Sequence, residues 1–284
     1  VSVEDAIAAV EGEEPAVDPK AEVWLAVTHY RRAMTYILQL ADDPHMVYDE
    51  NLIRGLHYSM VAYDLTKNPG RWRPGGVHVR REATGEIVYD GPDPELVPPL
   101  MKKLVTWLNE NDGTLTMVKA AMAHLNLVMI HPFSDGNGRM ARALQTLVLV
   151  RGEKVFDKMF CSIEEFLGEV RDEYYAVLAH VGGRTWTPTG DGRPFVRFCL
   201  TAHLNQAERR LRFSRWLGRV WMEVEEESKR RGLPDRVQFA MAEATMGLKV
   251  RNATYRRAAD INEHLASRDL KLLVDQKLLT AEGE

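Results

Sequence analysis

Residues 131 to 142 read HPFSDGNGRMAR, a set that few core-packing demands would assemble. His131 leaves an apolar stretch, Asp135 follows, Gly136 and Gly138 flank Asn137, and Arg139 and Arg142 come after. Two glycines at the head of a helix let backbone N–H groups turn inward, where the helix dipole favours a phosphate. The two arginines, at i and i+3, project from neighbouring positions of that helix. Together they describe a polyphosphate cradle. Asp135 is the hard oxygen ligand that a nucleotide-bound Mg²⁺ takes, with phosphate oxygens and water completing the octahedron. His131, of a type with an unperturbed pKa of about 6.5, can accept a proton from an attacking hydroxyl near neutral pH. Asn137 can donate to a phosphate oxygen as charge accumulates there. The chemistry is phosphoryl-centred transfer to a hydroxyl. Singly, each residue has a plainer reading: His131 as a helix cap, Pro132 and Phe133 as turn anchors, the arginines as solvated surface. The combination does not. A weaker alternative has His124 and His131, on one helical face, joining Asp135 around a transition metal, although the usual further ligands are missing.

These groups need a turn held between two helices, and the flanking sequence predicts helices from Leu115 to Ile130 and from Gly138 to Val150. Residues 21–41 and 49–66 carry apolar positions at three- and four-residue spacing and read as an antiparallel helix pair. The texture then changes: NPGRWRPGG is a loop, Val77 and Val79 alternate with His78 and Arg80, and Ile87 to Tyr89 pair with them across Thr84-Gly85. That is a β-hairpin. Further helices are expected over Pro94–Asn111, Ser162–His180 and Phe195 to about Arg231, with a polar loop at 182–194. At the front, SVEDAIAAVEG predicts a short helix capped by Ser2 and stopped by Gly12, before Pro15 and Pro19 break the chain. The organisation read from these patterns is a helix within 1–14, a catalytic domain over 15–212, a linker helix over 213–233 and a small domain over 234–284. In that last domain SRDLKLLVDQKLL, within a helix expected over Ala266–Leu279, resembles the second and third helices of a winged helix-turn-helix. Leu270, Leu273 and Val274 would face its core, and the wing is absent from the chain.

At 284 residues and 45% hydrophobic content the chain can bury a substantial core. A net charge of −4 announces neither a nucleic-acid coat nor an anionic-membrane surface. Cys161 and Cys199 stand far apart, outside any metal or redox spacing, and read as reduced, buried thiols. With no apolar run long enough for a membrane span and an acidic N-terminal segment in place of a signal sequence, the expected compartment is the cytoplasm.

HPFSDGNGRMAR resembles the Fic family signature HPFxDGNGRxxR at every fixed position. LIRGLHYSM, NPGRWR, AMAHLNLVMI and EVRDEYYAVL are similar to Fic segments as well, so the resemblance covers roughly residues 1 to 200. It implies an all-α fold: a helical bundle with one β-hairpin, the flap, followed here by a small winged-helix-like C-terminal domain. It also implies a bacterial-type protein adenylyltransferase that moves AMP from ATP to a Ser, Thr or Tyr hydroxyl of a target protein. In that reading His131 is the base and Asp135 holds Mg²⁺. Asn137 and the loop amides at Gly136 and Gly138 bind the α-phosphate, while Arg139 and Arg142 steer the β- and γ-phosphates. Phe133 is a core anchor. The flap, with Gly76, Val77, His78 and Val79, aligns a target segment by strand addition. Tyr174 and Tyr175 are either adenine-side contacts or core.

Many members carry an inhibitory helix of pattern (S/T)xxxE(G/N), and Val10-Glu11-Gly12 resembles its end. Glu11 would pair with Arg142, although Ile7 stands where the pattern has a hydroxyl. Arg268, Lys271 and Lys277 could reach DNA phosphates from the C-terminal module, but Asp269 and Asp275 sit among them, and protein recognition or homodimer packing competes. Alternatives within the fold are AMP removal, another nucleotidyl donor, or the reversed γ-phosphoryl transfer of the Doc branch, which intact Gly138 and Arg142 disfavour. A different class is a nucleotide-sensing, DNA-binding regulator.

Overall fold

The computed structural model describes residues 21–80, 85–152 and 162–281. The helix expected at 2–12, with Glu11, lies outside them, as does Cys161. The chain divides into two units, Val1–Ala207 and Glu208–Glu284, and the division falls inside one long helix.

In the first unit α1 (Ala21–Leu40) packs on α2 (Glu50–Val61). Asp49 starts α2 by accepting from Leu52 N at 2.6 Å. The helix expected to reach residue 66 stops earlier, because the Asp64 carboxylate takes the N–H and hydroxyl of Thr66 and draws Leu65–Lys67 into a 3₁₀ turn. After the hairpin come α3 (Val97–Asn109), α4 (Thr116–Ile130) and α5 (Asn137–Gly152). α5 is buried on nearly every face, from Met140 through Val150, which makes it the axis of the bundle. One core joins α1 to α5 through Ile37, Ile53, Met60, Met101, Leu127 and Leu144, and Phe133 of the signature is fully buried in it.

The single helix expected over 162–180 is two, α6 (Glu164–Glu169) and α7 (Arg171–Gly182), parting at Val170 where φ is −110° and ψ 37°. Gly168 and the β-branched Val170, both weak helix formers, fall together at the break. A second core gathers Tyr89, Leu125, Phe166, Tyr174, Phe195 and Cys199, whose buried thiol is free. Burial pushes that thiol up to about 12, far from a reactive thiolate.

The hairpin is β1 (His78–Arg80) antiparallel to β2 (Ile87–Asp90), with Val79 opposite Tyr89 and an irregularity between Val79 and Arg80. Tyr89 Oη donates to Met129 O at 2.6 Å, and Asp90 N donates to Arg184 O at 2.8 Å, so β2 is tied to α4 and to the loop that follows α7. Among the described residues no strand pairs with the outer edge of β1.

α8 (Arg193–Arg230) carries the chain into the second unit, where α9 (Gln238–Thr245), α10 (Asn252–Ala258) and α11 (Glu263–Asp275) surround Val237, Tyr255, Ala266 and Leu273. The last helix starts and ends earlier than expected. Asn262 caps it by accepting from Leu265 N, and the chain turns left-handed at Lys277. Asp269 is not the surface countercharge read from the sequence: it is buried, accepting from Arg236 Nε at 2.7 Å, Arg236 Nη2 at 3.0 Å and Tyr255 Oη at 2.9 Å. Arg268, Lys271 and Lys277 are exposed with Asp275. Among the described residues no helix is long and apolar enough to cross a membrane.

Candidate active site

His131 ends α4 as its C-cap, in the left-handed region at φ 51°. Its Nδ1 lies 3.1 Å from Val128 O and so must donate, which leaves Nε2 as a bare acceptor. Burial holds its pKa below the ordinary 6.5. Burial favours the neutral imidazole, and the bond to Val128 fixes Nε2 as the nitrogen with a lone pair to offer.

The loop after His131 is fastened at several points. Asn137 spends its side chain on the turn, accepting from Phe133 N at 2.9 Å and donating to Phe133 O at 2.8 Å. One Nδ2 hydrogen remains for a ligand. Asp135 accepts from Gly136 N at 2.6 Å through Oδ1, while Oδ2 faces Arg139 Nη2 at 3.2 Å and Lys67 Nζ at 3.6 Å. Gly136 has φ 80°, and a Cβ there would meet Val61 Cγ1 at 3.2 Å and His57 Nε2 at 3.5 Å, so this position requires glycine. Asn137, Gly138 and Arg139 form the first turn of α5, with Arg142 following at helical spacing. The signature residues are thereby brought to one turn and one helix head.

Several residues that sequence reasoning passed over complete the site. Buried His57 stacks on Phe133 with ring centroids 3.7 Å apart, donates from Nε2 to Asp135 O at 3.0 Å and accepts Gly70 N at Nδ1. Burial pushes it down to about 4, so it acts as a neutral strut. Buried Arg73 donates from Nε to His131 O at 2.8 Å, from Nη1 to Gly75 O at 2.6 Å and from Nη2 to Pro92 O. One guanidinium thus joins the base to both stems of the hairpin. Gly76, Val77, His78 and Val79 stand on the first of those stems and its strand, with His78 Nδ1 at 2.6 Å from Asp90 Oδ1. His57 and Arg73 lie in LIRGLHYSM and NPGRWR, so the segments carried a signal even though the roles did not. Glu164 and Tyr30 carried none: Arg142 Nε donates to Glu164 Oε1 at 3.1 Å, and the Tyr30 hydroxyl donates to the same oxygen.

His124 takes no part in a metal set with His131. It is fully buried, its Nδ1 donating to Gln145 Oε1 at 2.6 Å and its Nε2 accepting from Tyr174 Oη at 2.9 Å, so neither ring nitrogen is available. Tyr174 belongs to that buried network, whereas Tyr175 is 52% exposed and lies under Arg171. Among the described residues no group of three or more His, Cys, Asp or Glu could cage a metal. Asp135 is the partly exposed carboxylate of the loop, a hard oxygen of the kind Mg²⁺ takes, and its Oδ2 is shared at present by Arg139 and Lys67.

The site thus comprises a neutral histidine on a left-handed cap, a glycine turn opening a buried helix, and a hairpin tied by Arg73 to the backbone at His131 and Pro132. Residues 47–149 match the family model described as Fic/DOC family. Over 132 residues the chain is 40% identical to "Protein adenylyltransferase fic-1" of Caenorhabditis elegans, covering 45% of this chain and 22% of that protein. Over 181 residues it is 38% identical to "Protein adenylyltransferase Fic" of Aedes aegypti, covering 56% of this chain and 34% of the relative. The chain therefore spans between 22% and 34% of these relatives' length. In fold it is similar to a Fic family protein from Desulfovibrio desulfuricans G20 (TM-score 0.60, 24% identity, 97% of this chain and 75% of the other). Fic-1 from C. elegans is similar too (TM-score 0.57, 25% identity, 75% of this chain and 59% of the other).

Proposed function

We propose that this chain is a protein adenylyltransferase that transfers AMP from ATP to a Ser, Thr or Tyr hydroxyl of a target protein. The observation that carries the reading is His131 Nε2, left unprotonated by the bond from Nδ1 to Val128, on the turn that opens into the glycine-led head of α5. Nε2 takes the hydroxyl proton, the freed oxygen attacks the α-phosphorus, and the α–β bridge breaks to release pyrophosphate. The amides at Gly136 and Gly138 and the remaining Asn137 hydrogen meet the α-phosphate oxygens, and Arg139 and Arg142 draw the outer phosphates away from the attacking side. Asp135 would hold the Mg²⁺ that neutralises charge between the phosphates. The unpaired edge of β1 receives the target segment as an added strand.

Glu11 belongs to the same proposal as a brake: an Arg fork satisfied by a carboxylate cannot serve a phosphate as well. The place of action is the cytoplasm, consistent with the reduced thiol Cys199. In the second unit the exposed Arg268, Lys271 and Lys277 are open to duplex DNA or a second copy of the chain. A steep salt dependence of duplex binding would assign them to DNA, and a salt-insensitive dimer would assign them to packing.

Incubation with ATP labelled separately at the α- and γ-phosphates, with His131→Ala as the blank, tests the activity. Label from the α-phosphate on protein supports the proposal; label from the γ-phosphate would replace it with phosphoryl transfer. Glu11→Gly is expected to raise self-modification, and unchanged self-modification against an already active wild type would remove the brake.

A further inference from the structure

Arg142 is reached from two distant parts of the first unit. Glu164, at the first position of α6, accepts from its Nε at 3.1 Å, and the hydroxyl of Tyr30, supplied by α1, donates to the same carboxylate oxygen. Among the described residues the Glu164 carboxylate takes only Nε of the guanidinium, and the Tyr30 phenol lies close enough to Arg142 to influence it as well. At its other end, Nη1 lies beside Gly138, where a Cβ would stand 3.4 Å away. Gly138 is in the first turn of α5, where unpaired N–H groups gather. A guanidinium gripped bidentately by a carboxylate is closed to phosphate, whereas one held by Nε alone keeps both terminal nitrogens for another anion.

The surroundings keep this arrangement in one protonation state. Burial, and then the Glu164 charge, hold the Tyr30 phenol well above its usual range, so it remains a donor. Burial works against the Arg142 charge, and Glu164 is the largest influence restoring it. Arg139 is paired with Asp135, and among the described residues the terminal nitrogens of Arg142 meet no carboxylate, so Arg142 is the fork that can turn to the outermost phosphate.

We propose that Glu164, braced by Tyr30, is the positioning residue for Arg142: it aims the terminal guanidinium nitrogens at the head of α5 and so sets a preference for a nucleoside triphosphate over a diphosphate. The inference rests on the ATP reading above. Glu164 acts through Arg142 and touches no substrate.

Calorimetric titration of the full chain with ATP and with ADP, each with Mg²⁺, tests it in the wild-type and Glu11→Gly backgrounds. Glu164→Ala is expected to lower the ATP-to-ADP affinity ratio about tenfold, the worth of one charge-assisted hydrogen bond, with ADP affinity unchanged. Glu164→Gln keeps an acceptor oxygen for Nε and should restore most of the ratio. An unchanged ratio in Glu164→Ala would overturn the inference, as would tighter ATP binding, which would make Glu164 a competitor of the phosphate. Should Glu164→Ala fold poorly, Tyr30→Phe removes only the brace, and a full wild-type ratio there overturns the inference equally. A wild type that binds neither nucleotide overturns the functional reading together with the inference. A wild type that binds ATP while all variants keep its ratio overturns the inference alone.

Discussion

His131 works from a backbone conformation that costs an ordinary L-residue about 1–2 kcal/mol. The loop tolerates the cost because the neighbouring bonds over-determine it: Arg73 on its carbonyl, Val128 on its ring, Asn137 on Phe133. With burial depressing the imidazole, the neutral form prevails at pH 7, and protonation intrudes only on the acid side of 6.5. Initial rates of α-label transfer should therefore be flat from about pH 7 upward and decline only below 6.5. An acid limb that begins above pH 7 would contradict the buried, neutral base. At Gly136 the φ of 80° and the close Val61 methyl make a side chain costly. Gly136→Ala should lower the midpoint of thermal unfolding by several degrees, for a penalty of about 1–2 kcal/mol, and weaken ATP binding in the same titration. A variant with wild-type stability and affinity would show that the turn is not held as described.

The hairpin is positioned by what its strands do on their inner sides. Val77 O accepts from Gly91 N, so by the two-residue alternation of a strand the backbone of His78 points to the open edge of β1. His78→Pro removes that outward donor and spares the ladder to β2, a substitution that edge strands accept. Transfer to a protein target should fall about threefold to tenfold, the worth of one backbone hydrogen bond, with ATP affinity unchanged. Equal loss in both measurements would mean that the strand had collapsed instead. The helices show how local chemistry overrides periodicity. The apolar spacing of residues 49–66 runs on past Val61, yet the Asp64 side chain captures Thr66 and ends the helix. The apolar pattern of 162–180 likewise passes over the break at Val170.

Across the first unit, a line of neutral polar groups ties the bundle together: Tyr174 donates to His124, His124 to Gln145, and Gln145 Nε2 to His203 at 3.0 Å. Burial pushes His124 down to about 3 and His203 to about 4. Both values lie below the 6.5 of an unfolded histidine, so between pH 6.5 and 4 the unfolded chain binds more protons than the folded one. The stability linked to these two groups is complete above 6.5 and is lost as pH falls through that window. Each contributes a slope of up to about 1.4 kcal/mol per pH unit. Urea unfolding at pH 7 and at pH 5 should show the loss, and His124→Gln with His203→Gln should reduce it, with buried His57 and His131 carrying the remainder. Equal slopes with and without the histidines would refute the assignment.

The bundle-with-hairpin class and the signature loop were legible in the sequence because their evidence is local. Helical spacing, glycine placement and the types of His131, Asp135, Asn137, Arg139 and Arg142 lie within a few turns of one another. The supporting contacts were not, because they join residues between which no period or spacing runs. Glu164 reaches Arg142 across 22 positions, and Tyr30 reaches Glu164 across 134. Tertiary packing alone decided that Arg73 links the base to the hairpin and that Asp269 turns inward to Arg236. It also withdrew His124 into a neutral network. A buried polar group must find a partner wherever the folded chain supplies one. The identities of the proposed reacting groups are therefore written along the chain, and their surroundings are decided by what folds against them.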